Sequence, residues 1–141
     1  MILYLDTSSL VKLYIEEEGS YDVLACLAEA TVVATCQIAY AEARAAFARK
    51  RKNGELGEKE YQEVLRSFHR DWERLFAIGV SENVVKLAGE FAERHSLRGF
   101  DAIHLASAKL LMEKVNSPIV FSCADERLQG AARTEGFDIS L

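Results

Sequence analysis

Short apolar runs recur along the chain between longer stretches of helical periodicity, and this alternation is what most constrains its fold. Ile2 to Leu5, Thr31 to Ala34, Leu75 to Ile78 and Ile119 to Phe121 are too brief for helices and read as buried strands, with Phe137 to Ile139 a candidate for a last one. Thr7, Ser8 and Ser9 follow the first run, and any of them can cap a helix reaching about Glu18. Further helices are expected over Ser20 to Glu29, from about Gln37 to Lys52, and around Tyr61, Leu65, Phe68 and Trp72, which share one helical face. Val84, Leu87, Ala88, Phe91 and Ala92 mark the next by the same rule. Gly99 to Val115 reads as a mostly apolar, central helix, and Glu126 to Thr134 as a short one. Apolar strands alternating with helices imply an α/β class with a parallel sheet covered on both faces. Ligand sites in such folds lie outside the carboxyl ends of the strands, where Asp6 and Asp125 both fall.

A length of 141 residues suits a single domain over 1–141, and one proline argues against long linkers. No internal repeat is present. The longest uncharged stretch, Ala30 to Ala41, is well short of the roughly 20 residues a membrane helix needs, and the first apolar run ends at Asp6 without a preceding basic region. Cys26, Cys36 and Cys123 are odd in number and far apart, which fits neither a disulfide framework nor a zinc knuckle; a reducing cytoplasm is the simplest expectation. The net charge of −5 weighs against a nucleic-acid partner, but it is unevenly spread. Between Ala43 and Gly54 lie Arg44, Arg49, Lys50, Arg51 and Lys52 without a single acid.

Most glutamates here are ordinary solvated surface, but four acids stand in apolar settings. Asp6 ends an uncharged strand. Glu42 has Ile38 and Ala39 one turn before it and Ala45 and Ala46 one turn after. Asp101 opens the apolar run Ala102-Ile103-His104-Leu105-Ala106, and Asp125 follows the strand at Ile119 to Phe121. A carboxylate in such surroundings is costly unless paired, protonated or bound to a metal. Each has an ordinary structural explanation: Asp101 and Asp125 as helix N-terminal acids, Glu42 as the partner of Arg44 or Arg49. Four converging carboxylates are explained more simply by a hard divalent cation, Mg²⁺ or Mn²⁺. Such an ion beside a basic strip suits phosphodiester cleavage, with Arg44, Arg49, Lys50 and Arg51 as the expected contacts to the substrate backbone. Ser8 either caps its helix or hydrogen-bonds a site carboxylate. His104 lies one turn after Asp101; a packed bystander is the ordinary reading, contact with metal or phosphate the other.

These segments resemble a known family. LYLDTSSLVKLYIEEEGS is similar to the opening of PIN domains, especially VapC toxins of toxin–antitoxin pairs; AYAEARAAFARK to their second acidic motif; LRGFDAIHLASAKLL to the third; and VFSCADERLQGAARTEGF to the C-terminal segment. The resemblance implies a three-layer α/β/α fold with a mostly parallel, roughly five-stranded sheet. It implies a Mg²⁺- or Mn²⁺-dependent endoribonuclease that dimerises, with an antitoxin partner through which operator DNA is bound. Asp6, Glu42, Asp101 and Asp125 then become metal ligands or acids close behind them, and Ser8 the polar residue after the first aspartate. One departure is Cys123, where many relatives carry Ser or Thr two residues before the fourth acid; Ser122 is adjacent.

Three other readings compete. A phosphatase of the haloacid dehalogenase type also begins with a strand ending in Asp, but expects a second aspartate where Ser8 stands. A PIN nuclease with a housekeeping role in RNA processing has the same motifs as a toxin. A non-catalytic scaffold binding RNA or protein is the third, against which the presence of all four acids argues.

Overall fold

The computed structural model describes residues 1–140. Its elements run β1 (Ile2–Leu5), α1 (Thr7–Val11), α2 (Ser20–Glu29), β2 (Val32–Cys36), α3 (Ile38–Lys52), α4 (Glu58–Trp72), β3 (Phe76–Ile78), α5 (Glu82–His95), α6 (Gly99–Lys114), β4 (Ile119–Ser122), α7 (Glu126–Thr134) and β5 (Asp138–Ile139). The strands form one sheet in the order β3-β2-β1-β4-β5, and every pairing is parallel.

Successive side chains of a strand point to opposite faces, so a strand buried on both sides feeds two cores. Tyr4 packs on one face with Ala34, Phe91, Leu105, Phe121 and Leu128, against α5, α6 and α7. Leu3 and Leu5 pack on the other with Leu10, Phe47 and Phe68, against α1, α3 and α4. This is the three-layer α/β/α arrangement, and it explains why β1 carries no charged side chain until Asp6.

One expected element is shorter than its sequence suggests. The first helix stops at Val11 rather than running to about Glu18. Three glutamates at a helix C-terminus would oppose its dipole, and Leu13, Tyr14 and Ile15 all turn partly into the core, which no single helical face allows. The segment instead turns back through a Lys12–Glu17 ion pair at 3.0 Å and enters α2 at Gly19, whose φ of 90° suits glycine.

The chain order reverses at β1, with β2 on one side and β4 on the other. That reversal opens a crevice above the carboxyl ends of β1 and β4, where open α/β sheets bind ligands. Cys26, Cys36 and Cys123 are all free. Among the described residues no helix is long and apolar enough to cross a membrane.

Candidate active site

Each of the four acids sits where a strand or helix ends at this edge. Asp6 follows β1 and caps α1; Asp125 follows β4 and caps α7; Asp101 lies in the first turn of α6; Glu42 is one turn into α3. Parallel pairing of Leu5 with Ser122 brings the first two loops side by side. They are then tied together, because the Asp6 amide donates to the Ser122 carbonyl at 3.1 Å and the Ala124 amide donates to Ser8 Oγ at 3.1 Å.

The acids share a pattern of half-use. Asp6 is 5% exposed. Its Oδ1 accepts from Ser8 Oγ at 2.7 Å and from the Ser9 amide at 3.0 Å. Glu42 Oε1 accepts a short hydrogen bond from Thr7 Oγ1 and lies 3.0 Å from His104 Nε2. Asp125 Oδ1 accepts from the amides of Arg127 and Leu128 at 2.8 and 3.0 Å. One oxygen of Asp6, of Glu42 and of Asp125 therefore anchors its side chain, while Asp6 Oδ2 and Glu42 Oε2 have no protein hydrogen bond among the described residues. Neither is fully enclosed, since among the described residues no buried side-chain oxygen or nitrogen lacks a partner. Asp6 Oδ2 and Glu42 Oε2 are therefore reached by solvent and open to a cation.

Burial pushes the Asp6 carboxyl above its ordinary value; His104, Ser8 and Ser9 pull it down, and Asp101 adds to the rise. A buried carboxylate with an oxygen that no protein group satisfies is a natural cation ligand. Partial burial acts upward on Glu42 too, but the hydrogen bonds from His104 and Thr7 and the His104 charge outweigh it, leaving Glu42 below its ordinary value. Burial also pushes the Cys123 thiol well up, reinforced by Asp6, Asp125 and Asp101.

His104 is 2% exposed and belongs to a relay. Tyr4 Oη lies 2.9 Å from its Nδ1. Nε2–H donates to Glu42 Oε1 at 3.0 Å, Thr7 Oγ1 also lies 3.1 Å from Nε2, and the direction of the Nδ1–Tyr4 hydrogen bond follows the protonation of the ring. Glu42 is thus held by α1 and α6, and not by Arg44 or Arg49 as its sequence surroundings allow. His104 is buried and touches a site acid. Thr7 is legible only as a candidate helix cap and Tyr4 only as a strand residue, because the His104 they both meet lies about a hundred residues away.

The basic strip divides in space. Residues seven apart on a helix share a face, which places Arg49 in line with Glu42, two turns along α3. Arg44 folds over Tyr40, with its guanidinium carbon 5.7 Å from the ring centroid. Lys50 pairs with Glu17 and Glu55 at 3.4 and 3.9 Å. Arg51 pairs with Glu58 at 3.4 Å and sits 4.1 Å above the Tyr61 ring.

Two shallow clefts meet at the acidic edge, one lined by Glu42, Phe100 and Asp101, the other by Leu97, Asp101 and Asp125. Arg98 lines both, and its guanidinium lies 3.5 Å from Asp101 Oδ2 and 3.8 Å from Asp125 Oδ2. Among the described residues no three His, Cys, Asp or Glu side chains are grouped closely enough to enclose an ion. The donor set nonetheless fits a hard divalent cation, being all carboxylate with an uncommitted oxygen on Asp6 and on Glu42.

The chain matches the PIN domain over residues 3–133. It is 34% identical over 136 residues to two proteins of Mycobacterium tuberculosis named Ribonuclease VapC45 and Ribonuclease VapC49, spanning 96% of this chain and 92% of each of those. Its fold is similar to that in the crystal structure of FitAcB from Neisseria gonorrhoeae, with a TM-score of 0.66 at 18% identity, covering 99% of this chain and 96% of that one. It is likewise similar to VapBC2 from Rickettsia felis bound to a promoter DNA fragment, with a TM-score of 0.64 at 18% identity, covering 99% and 97%. A five-stranded parallel sheet with acids gathered at its switch point, and a family match spanning nearly every element, lead to one assignment: the chain belongs to the PIN-domain family.

Proposed function

We propose that the acidic edge is the active site of a divalent-metal-dependent endoribonuclease, and that the chain is the toxin of a toxin–antitoxin pair. The observation that carries the reading is the half-used carboxylates: Asp6 and Glu42 each anchor through one oxygen and leave the other to solvent. Two relatives named ribonucleases, alike over almost the full length, support RNA as substrate. The similarity to VapBC2 bound to a promoter DNA fragment supports an antitoxin partner, with operator DNA bound only through it. A homodimer, a single PIN domain over 1–141 and a cytoplasmic location belong to the same reading.

Asp6, Glu42, Asp101 and Asp125 would hold Mg²⁺ or Mn²⁺. Such an ion supplies Lewis-acid polarisation of a phosphoryl oxygen and a more acidic water. The chain's own residues do the positioning. Ser8 fixes Asp6 and, through the Ala124 amide, the spacing between the loops of Asp6 and Asp125. Thr7 and His104 fix Glu42 in its ionised form. Arg49 lies in line with Glu42 to meet the RNA backbone, and Phe100, 61% exposed at the cleft, offers a ring to an unpaired base.

The test is cleavage of total cellular RNA by the purified protein, followed by mapping of the ends. EDTA is expected to abolish cleavage and Mg²⁺ or Mn²⁺ to restore it, while Asp101→Asn keeps the fold and loses activity by at least about a hundredfold. Chelator-insensitive cleavage, or a fully active Asp101→Asn protein, defeats the mechanism. One observation favours the non-catalytic scaffold instead, namely that among the described residues no three ligand side chains enclose an ion. Absence of Mn²⁺ binding by calorimetry decides for that scaffold.

A further inference from the structure

The acidic edge contains a cation of its own. Arg98 precedes Asp101 by three residues and occupies the N-cap position of α6, yet its side chain makes no capping hydrogen bond. It is 83% exposed and reaches across the site, with Nε toward Asp101 Oδ2 and Nη2 toward Asp125 Oδ2. Both contacts exceed hydrogen-bond length and both face solvent, so they are weak and salt-screened. Arg127, close by, is held differently: its Nη1 donates to the Ser96 carbonyl at 3.1 Å. No such bond holds the Arg98 side chain among the described residues. It touches two of the four acids assigned to the cation site and separates the two clefts they line.

A guanidinium and a divalent ion cannot both occupy the space between those two carboxylates. The ion carries twice the charge and binds oxygen at much shorter range. A loosely held arginine is displaced under those conditions, whereas a buried, bidentate one would exclude the ion. Once displaced, Arg98 remains on its tether beside the site as a mobile charge with the right fork for a phosphate group.

We propose that Arg98 is an exchangeable counter-cation of the acidic edge, a positioning residue that pairs Asp101 with Asp125, yields them to a divalent metal ion, and then turns to a phosphate of the RNA. This rests on reading the four acids as the metal site.

The experiment compares Mn²⁺ affinity by calorimetry in the wild-type protein, Arg98→Gln and Arg98→Lys, together with KM and kcat on a single-stranded oligoribonucleotide at saturating Mn²⁺. Arg98→Gln is expected to bind Mn²⁺ about three- to tenfold more tightly, because a competitor worth a weak surface ion pair or two has gone. Its KM for RNA should rise by about threefold or more while kcat changes little. Arg98→Lys, which keeps the charge, should stay within about twofold of the wild-type Mn²⁺ affinity. Opposite movement of the two affinities separates this role from simple damage, which weakens both. Unchanged or weaker Mn²⁺ binding by Arg98→Gln overturns the Arg98 inference alone. A wild-type protein that binds no Mn²⁺ overturns the metal site, and Arg98's role falls with it.

Discussion

Replacing His104 by alanine should be among the most damaging single changes that leave the hydrophobic core chemistry untouched. The imidazole projects from α6 and is almost fully buried, and both nitrogens are used. A hydrogen bond to an ionised carboxylate contributes about 1.5–3 kcal/mol, a neutral one about 1 kcal/mol. Truncation also leaves a void beside Tyr4, whose ring meets the imidazole edge-on at a centroid distance of 6.0 Å. Water reaching the partly exposed Glu42 offsets part of this, so the net loss should be about 3 kcal/mol. For a domain of this size that lowers the thermal midpoint by roughly 10 °C. Urea unfolding at pH 7 checks the value. The relay adds a sharper criterion: Tyr4→Phe alone should cost about 1 kcal/mol, and much of that should disappear in a His104→Ala background. A His104→Ala protein within about 0.5 kcal/mol of wild type, a difference ordinary surface substitutions give, or strict additivity of the two changes, would show that the relay does not hold Glu42.

Two carboxylates should respond to pH with opposite signs. Burial raises the folded-state value of Asp6, so its ionised form costs stability at neutral pH; Asp6→Asn should be more stable than wild type at pH 7 in urea titrations, with the gap closing as pH falls through the raised value. Partial burial pushes Glu135 up, but the hydrogen bonds and charges of His95 and Arg94 lower it overall, so its stabilisation is full above the unfolded carboxyl range and lost as pH falls through the lowered value. Glu135→Gln should therefore cost about 0.5–1 kcal/mol at pH 7, and wild type and variant should converge in acid. Changing Arg49, Lys50 and Arg51 together to alanine should weaken RNA binding and flatten its salt dependence, with Arg49→Ala giving most of the effect and Arg51→Ala little; an unchanged slope removes the strip from the substrate path.

What the sequence revealed and what it concealed divide along a physical line. Apolar runs such as Ile2 to Leu5 identify strands because burial on two faces forbids polar residues, and the same exclusion made Asp6 conspicuous. The periodicity of Tyr61, Phe68 and Trp72 marked α4 for the same reason. The first helix was overextended because nothing local in Leu13 to Ile15 shows that these residues turn to the core on different faces. Pairings across the fold were the least visible. Glu42 stands among arginines in the chain, yet its partners are Thr7 and His104, supplied by other elements. Arg98 has the composition of any exposed cation, and only the meeting of α6 with α7 gives it two carboxylates. Pattern and fold bring the four acids to one edge, where among the described residues no three of them enclose an ion.

The central strand has a consequence for the order in which the molecule is made. β1 is made long before its neighbour β4, which ends at Ser122, and Asp125 comes later still. The edge that joins Asp6 to Asp125 cannot form on a nascent fragment that stops short of β4. A product truncated before Asp125 should therefore be inert, and whatever chemistry this edge performs begins only once the chain has been made through Asp125.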